Sequence, residues 1–235
     1  MKRVVFITGS DTGVGKTVLA VLLTRHLRRR GEAVRAVKPF CSGGLDDVRA
    51  LQAAQEGALD REAICPWVFR RPLTPLLAAR CEGRRVEMAA VVRFLRQAAS
   101  GHGTLLVEGA GGLLSPLGEG FSALDLIRSL RATPVVVCPN RLGALNQARL
   151  VLAALPGAIA ARARCVLVEP PCRDAASRTN PALLGECIGA DRVIVLPRFR
   201  GPAPPEPDSR LDRILARILA PIVHGACPGG AVGKG

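Results

Sequence analysis

The segment Gly9-Ser10-Asp11-Thr12-Gly13-Val14-Gly15-Lys16-Thr17 follows the apolar run 4–7 and leads straight into a second apolar stretch, 18–23. A strand that ends in a glycine-rich turn and restarts as a helix aims a row of backbone N–H groups, and the positive end of the helix, at one point. That arrangement is a cradle for a phosphate. In such a loop Lys16 reaches the β- and γ-phosphates of a nucleotide and the Thr17 hydroxyl ligates Mg²⁺. The strict spacing places a glycine six residues before the lysine; that position is Ser10, and Gly9 lies one residue further back. Placement between a strand and a helix carries the reading, a nucleotide-binding α/β chain.

The rest of the chain repeats that alternation. Apolar runs at 3–8, 33–37, 104–108, 134–138, 164–168 and 193–196 predict strands. Helical patterns fall at 17–30, 46–56, 75–82, 87–100, 122–131, 143–155, 180–188 and 209–221. Short strands apolar on both faces and separated by helices read as a parallel sheet covered on both sides. The expectation is one α/β domain over 1–223, a single-domain parallel-sheet P-loop fold with helices on both faces. The segment 200–208, rich in Pro and Gly, reads as a loop, and 224–235 as a disordered tail. The Gly-Lys pair of that tail has no strand or helix beside it and is not a second phosphate loop.

A formal charge of +14 raises the question of nucleic acid. The basic residues are scattered along the chain. Aromatic residues make up 3% of it and tyrosine is absent, so surfaces on which bases stack are scarce. A solvated arginine-rich surface is the simpler reading, with no nucleic-acid partner. No stretch is long and apolar enough to span a membrane, and the chain enters a strand at once, which reads as cytoplasmic. Its eight cysteines form no C-x-x-C pair; several lie inside apolar runs, as Cys138 and Cys165 do, and read as buried, reduced thiols. Lysine occurs only at positions 2, 16, 38 and 234. Where arginine is the default cation, Lys16 and Lys38 mark places that need a compact ammonium.

Ligands of an open parallel sheet gather at the carboxyl ends of its strands. Lys38 follows the second strand run, Glu108 ends the third, and Glu169 follows the fifth. Glu108 precedes Gly109-Ala110-Gly111-Gly112, a loop that lets a ligand approach the backbone, and is suited to Mg²⁺. Asp47, near the head of the 46–56 helix, reads equally as a metal ligand or, like Asp46, as a helix cap.

In several motifs, in order, the chain resembles the dethiobiotin synthetases. The extended phosphate loop, Lys38-Pro39-Phe40-Cys41-Ser42-Gly43, Asp46-Asp47-Val48 and Cys65-Pro66-Trp67-Val68-Phe69 through Pro72-Leu73-Thr74-Pro75 carry the likeness. So do Val107-Glu108-Gly109-Ala110-Gly111-Gly112 and Arg141-Leu142-Gly143-Ala144-Leu145-Asn146, before it fades near residue 170.

The resemblance implies an ATP- and Mg²⁺-dependent ligase that joins CO₂ to diaminopelargonate through a carbamate and a carbamic-phosphoric anhydride. By the same likeness Gly13, Val14, Gly15, Lys16, Thr17, Glu108, Gly109, Gly111 and Glu169 meet the nucleotide. Thr17, Asp47 and Glu108 hold the metal; Thr12, Lys16 and Lys38 act on the reacting groups. Thr12, Lys38, Ser42, Gly111 and Gly112 bind substrate, whose carboxylate meets backbone N–H groups of Ala144, Leu145 and Asn146 from the partner of a homodimer. One departure stands out: where the family often carries an adenine-reading Asn, this chain has Glu169, which accepts hydrogen bonds but cannot donate to a ring nitrogen. Weaker or broader base selection is expected. The competing readings are a related P-loop ATPase with another small substrate, and a non-catalytic regulator. A partition-type ATPase is disfavoured, because Asp11 stands where that class carries its signature lysine.

Overall fold

A computed structural model describes residues 3–101, 103–199 and 204–220. Its strands are β1 (Arg3–Gly9), β2 (Val34–Val37), β3 (Phe40–Ser42), β4 (Trp67–Phe69), β5 (Thr104–Glu108), β6 (Pro116–Gly118), β7 (Phe121–Ser122), β8 (Thr133–Pro139), β9 (Arg164–Val168) and β10 (Val193–Leu196). The helices are α1 (Lys16–Arg29), α2 (Asp46–Ala54), α3 (Arg61–Ile64), α4 (Pro75–Cys81), α5 (Met88–Ala98), α6 (Ala123–Leu130), α7 (Ala144–Ala154), α8 (Gly157–Ala160), α9 (Ala175–Ile188) and α10 (Ser209–Leu219).

The six expected strand runs form one sheet in the order β10-β9-β8-β1-β5-β2. Every pairing within it is parallel. Alternate residues of the central strands feed opposite cores, as the period of two demands. Val5, Ile7, Leu106, Val135 and Val137 face α1, α2 and α10, packing with Leu19, Leu22, Leu51 and Leu215. Phe6, Leu105, Val107 and Val136 face the other way, toward Val91, Leu95 and Ile127 of α5 and α6. Both faces are thus closed, and the strand ends are the accessible places for polar chemistry.

Beyond β1 the order runs through β5 to β2 on one side and through β8 and β9 to β10 on the other. The chain reverses direction of travel across the sheet there, which leaves a crevice at the carboxyl end of β1. Register then brings the polar residues to it. Ile7 pairs with Glu108, and Val37 pairs with Val107, so Lys38 emerges beside Glu108.

Four pieces were not expected from the sequence. The two-stranded pairs β3–β4 and β6–β7 contain strands of only two or three residues. Single-turn helices α3 and α8 are equally short. All are too brief to show a period. The helix expected over 180–188 begins earlier, at Ala175, where Asp174 caps it by accepting from the Ser177 N–H at 2.7 Å. The polar run 177–180 and Pro181 inside the helix hid that first turn. Of the described cysteines, Cys41, Cys65, Cys138 and Cys165 are buried, but Cys81, Cys172 and Cys187 are exposed, so only part of the set fits the buried-thiol reading. The tail 224–235 lies outside the described residues.

Helix α1 carries the phosphate loop, and its packing sets the loop's position. Leu22 is fully buried in the α1-side core. Replacing it with alanine removes that contact and leaves a cavity, so Leu22→Ala is expected to lower stability by about 2–5 kcal/mol. Urea denaturation of the two proteins, with equal slopes and a lower midpoint for the variant, checks this.

Candidate active site

The turn between β1 and α1 depends on backbone shapes that other residues adopt poorly. Gly13 and Gly15 have φ of 72° and 102°, in the left-handed region. No acidic residue occupies the first turn of α1, so its N–H groups meet no competing carboxylate of that turn. Lys16 folds back and donates to the Asp11 carbonyl at 2.7 Å. Burial pushes its pKa down to about 8; Glu108 opposes this and the nearby Lys38 adds to it. A buried ammonium without a full countercharge is in want of an anion, and a polyphosphate supplies one.

Lys38 is the centre of the site. Its Nζ donates to Glu108 Oε1 at 2.5 Å and to Asp47 Oδ2 at 2.6 Å. The side chains of Lys38 and Glu108 are 7% and 1% exposed, so this is a buried ion pair. Thr17 Oγ1 donates to the same Glu108 oxygen at 2.6 Å. Burial works to lower the Lys38 pKa, but the Glu108 and Asp47 carboxylates outweigh it and hold it above the ordinary lysine value. Burial raises the Glu108 pKa, with Lys38 opposing. Burial pushes Asp47 up, and Lys38 more than reverses this, leaving it below the usual carboxylate value. Lys38 is therefore a fixed cation rather than a base.

Asp47 thus turns toward the cleft. Asp46 instead points to solvent and pairs with Arg49 at 3.0 Å. The residue capping α2 is Leu45, so neither aspartate is its cap.

The donor set fits a hard divalent cation. Glu108 Oε2 is buried and has no hydrogen-bond partner, beside the Thr17 hydroxyl and the Asp47 carboxylate. Oxygen ligands of this kind, few in number and next to a phosphate loop, suit Mg²⁺, which keeps several waters and takes phosphate oxygens.

A cleft of about 590 Å³ brings together Thr12, Gly13, Gly15, Lys16, Thr17, Lys38, Ser42, Asp47, Glu108 and Gly111. Ser42 Oγ is buried without a partner. Val14 and Glu169 line an adjoining pocket of about 350 Å³, which shares Gly13 and Gly15 with the cleft. Five expected residues line neither the cleft nor the adjoining pocket. Gly109 donates its N–H to Ile7 and packs against the Phe6 ring, so it serves the turn. Gly112 lies over the Gly9 and Ser10 backbone and donates to Ser115 Oγ. Ala144 is buried, with its N–H spent on the Arg141 carbonyl; Leu145 and Asn146 line a separate groove along α7. The sequence reading also missed Asn140, which is buried and lines the second pocket. Its position just past β8 was the available signal.

These features define a phosphate-loop nucleotide-binding protein of α/β architecture. Solved structures share that fold. A ParA family ATPase from Chlorobium tepidum TLS matches with TM-score 0.51 and 17% identity, over 93% of this chain and 90% of that one. A putative plasmid partition protein from Borrelia burgdorferi B31, bound to AMPPNP, matches with TM-score 0.56 and 11% identity, over 92% and 96%. At such identities the likeness is one of fold alone. A family model described as an AAA domain matches residues 3–186. An ATP-dependent dethiobiotin synthetase from Anaeromyxobacter sp. (strain K) is 38% identical over 92% of this chain and 97% of its own length. One from Bacillus subtilis (strain 168) is 32% identical over 83% and 87%. The chain belongs to the ATP-dependent dethiobiotin synthetase family.

Two substitutions test the site. Lys38→Ala removes the central cation while leaving the phosphate loop intact. Turnover of ATP is expected to fall by on the order of 10²-fold or more, with the Kd for a non-hydrolysable ATP analogue close to that of the unsubstituted protein. A parallel loss of nucleotide binding would move Lys38 into the nucleotide site. Glu108→Gln retains the shape and removes the charge. A Mg²⁺ titration of activity is expected to show a higher half-saturating concentration; an unchanged value would remove Glu108 from the metal site.

Proposed function

We propose that this chain closes the ureido ring of dethiobiotin, converting 7,8-diaminopelargonate, CO₂ and ATP into dethiobiotin, ADP and phosphate. The observation that carries this reading is the Lys38–Glu108–Asp47–Thr17 network beside the phosphate loop, in a chain of this family.

The chemistry asks for charge neutralisation and alignment more than for a strong base. One amine of the substrate adds to CO₂ and loses a proton, giving a carbamate. A carbamate oxygen attacks the γ-phosphorus and ADP leaves, giving the carbamic-phosphoric anhydride. The second amine attacks the carbonyl carbon, the ring closes and phosphate departs.

The phosphate loop and Lys16 hold the triphosphate, whose negative charge offsets the burial that lowers the Lys16 pKa. Lys38, kept protonated by its two carboxylates, holds the carbamate oxygens and the transferring phosphoryl group. Thr12 and the buried, unpartnered Ser42 hydroxyl orient the carbamate. Mg²⁺, held by Thr17, Asp47 and Glu108, would neutralise phosphate charge.

The reading includes a homodimer. The groove along α7 contains Leu145 and Asn146 together with Arg149 and Leu150. Leu150 and Leu114 are each 62% exposed, and Leu142 is 86% exposed. An apolar face of this kind, next to residues that do not reach their own cleft, is supported as the surface through which a partner subunit's α7 would offer N–H groups to the substrate carboxylate.

The deciding assay measures phosphate release by the purified protein with Mg-ATP and bicarbonate, with and without diaminopelargonate, alongside product mass. Release that depends on diaminopelargonate, with a product of dethiobiotin mass, is expected. Nucleotide binding without stimulation would keep the fold and overturn the substrate.

A further inference from the structure

Cys41 and Cys65 form a thiol pair at the wall of the cleft. Strand β3 carries Cys41 and runs parallel to β4, with Phe40 opposite Trp67 and Cys41 opposite Val68. The Trp67 N–H donates to the Pro39 carbonyl at 3.1 Å, and Cys65 Sγ lies 3.6 Å from that same oxygen. Cys65 is therefore laid against the segment that leads to Cys41, and both thiols pack in the α1-side core. The two side chains meet. A hydrogen bond from Cys65 holds the Cys41 thiol below its ordinary value, and the same contact, with burial, pushes Cys65 up.

Their surroundings differ. Cys41 lines the cleft with Lys38 and Ser42, is 6% exposed, and donates to the Gly44 carbonyl at 2.7 Å. Cys65 is 1% exposed and does not line the cleft. A small solute entering the cleft thus reaches Cys41 first and finds Cys65 behind it. An accessible thiol with a second thiol beside it is the arrangement of an attacked and a resolving cysteine. Cys138 and Cys165, the other buried cysteines described, are 0% exposed and do not line the cleft.

We propose that Cys41 and Cys65 are a site of reversible oxidation, closed to a disulfide by a small hydroperoxide that enters the cleft. The Cys41 sulfur attacks one peroxide oxygen and the O–O bond breaks. The thiol proton leaves with the departing oxygen as water, and Cys41 is left as a sulfenic acid. The Cys65 sulfur then attacks the Cys41 sulfur and the S–O bond breaks. The hydroxyl leaves with the Cys65 proton as a second water. Two thiols have given up two electrons and two protons, and hydrogen peroxide has become two waters. A covalent S–S bond is shorter than the approach of two hydrogen-bonded thiols, so Cys41 turns inward and gives up Gly44. Little slack is available there. Gly43 has φ of 82°, and a Cβ on it would stand 2.5 Å from Pro72, which lines the cleft with Leu73 and Thr74. Ser42, whose hydroxyl is buried and unpartnered, moves with that end of β3. The oxidised protein keeps its phosphate loop but turns over slowly; this last step rests on the reaction proposed above.

The test treats the reduced full chain with hydrogen peroxide, alkylates it with iodoacetamide and digests it without reductant. Mass spectrometry is expected to find the Cys41 and Cys65 peptides linked, and dithiothreitol to separate them. Phosphate release with Mg-ATP, bicarbonate and diaminopelargonate is expected to fall by on the order of ten- to a hundredfold and to return with dithiothreitol. Binding of a non-hydrolysable ATP analogue is unchanged, and reports that each variant is folded. In Cys65→Ala the sulfenic acid has no resolving thiol, and dimedone marks Cys41. In Cys41→Ala neither link nor mark forms, and peroxide leaves turnover unchanged. Recovery of Cys41 and Cys65 both alkylated after peroxide, with oxidation confined to the exposed Cys81, Cys172 and Cys187, overturns the site. A link that leaves turnover intact overturns its effect on the cleft. The link is read by mass and needs no turnover, so absence of diaminopelargonate-dependent release overturns the proposed reaction and not the thiol pair.

Discussion

The buried Lys38–Glu108 ion pair is the constraint around which the site is arranged. Two charges taken out of water cost several kcal/mol each, and only close geometry with further hydrogen bonds offsets this. Here the further bonds come from Thr17 and Asp47. The network therefore ties the start of α1, the start of α2, the end of β2 and the end of β5 to one another. Each of those elements is held in turn by a full apolar core. Removing one member leaves a buried charge unpaired, which costs about 3–5 kcal/mol in comparable cases. The site and the sheet beneath it are thus coupled.

The two lysines show how one residue type serves two purposes. Both are buried, and in both burial works against the charged form. Lys38 has two carboxylates within hydrogen-bond reach and remains a cation. Lys16 has a carbonyl, with a second ammonium nearby, and sits at about 8. The first is ready to stabilise negative charge that develops in a reaction; the second is an ammonium whose hydrogen-bond partner is a neutral carbonyl, which leaves room for an arriving anion.

Much of this was legible in the residue order. The six strands of the main sheet show as continuous apolar runs, because a strand covered on both faces needs no polar side. The phosphate loop shows because its chemistry is local: glycines for the turn, then lysine and threonine on the first helical turn. The small strands β3, β4, β6 and β7 did not show, since two or three residues carry no period. The first turn of α9 was masked by polar residues that favour caps as readily as helices. Asp46 and Asp47 looked alike until the fold turned one to Lys38 and the other to solvent.

By itself, the sequence determined the fold class, the position of the phosphate loop and the strand-end residues from which a site is built. These depend on periodicity and on contacts between near neighbours in the chain. Tertiary structure alone decided which of those residues meet. Lys38 and Glu108 lie far apart in the chain and are joined by parallel register; Asn140 holds Glu169 across the ends of two strands; the N-terminus of α7 is kept away from its own cleft. Such pairings depend on strand order and on where each helix crosses the sheet, which no local pattern of residues contains.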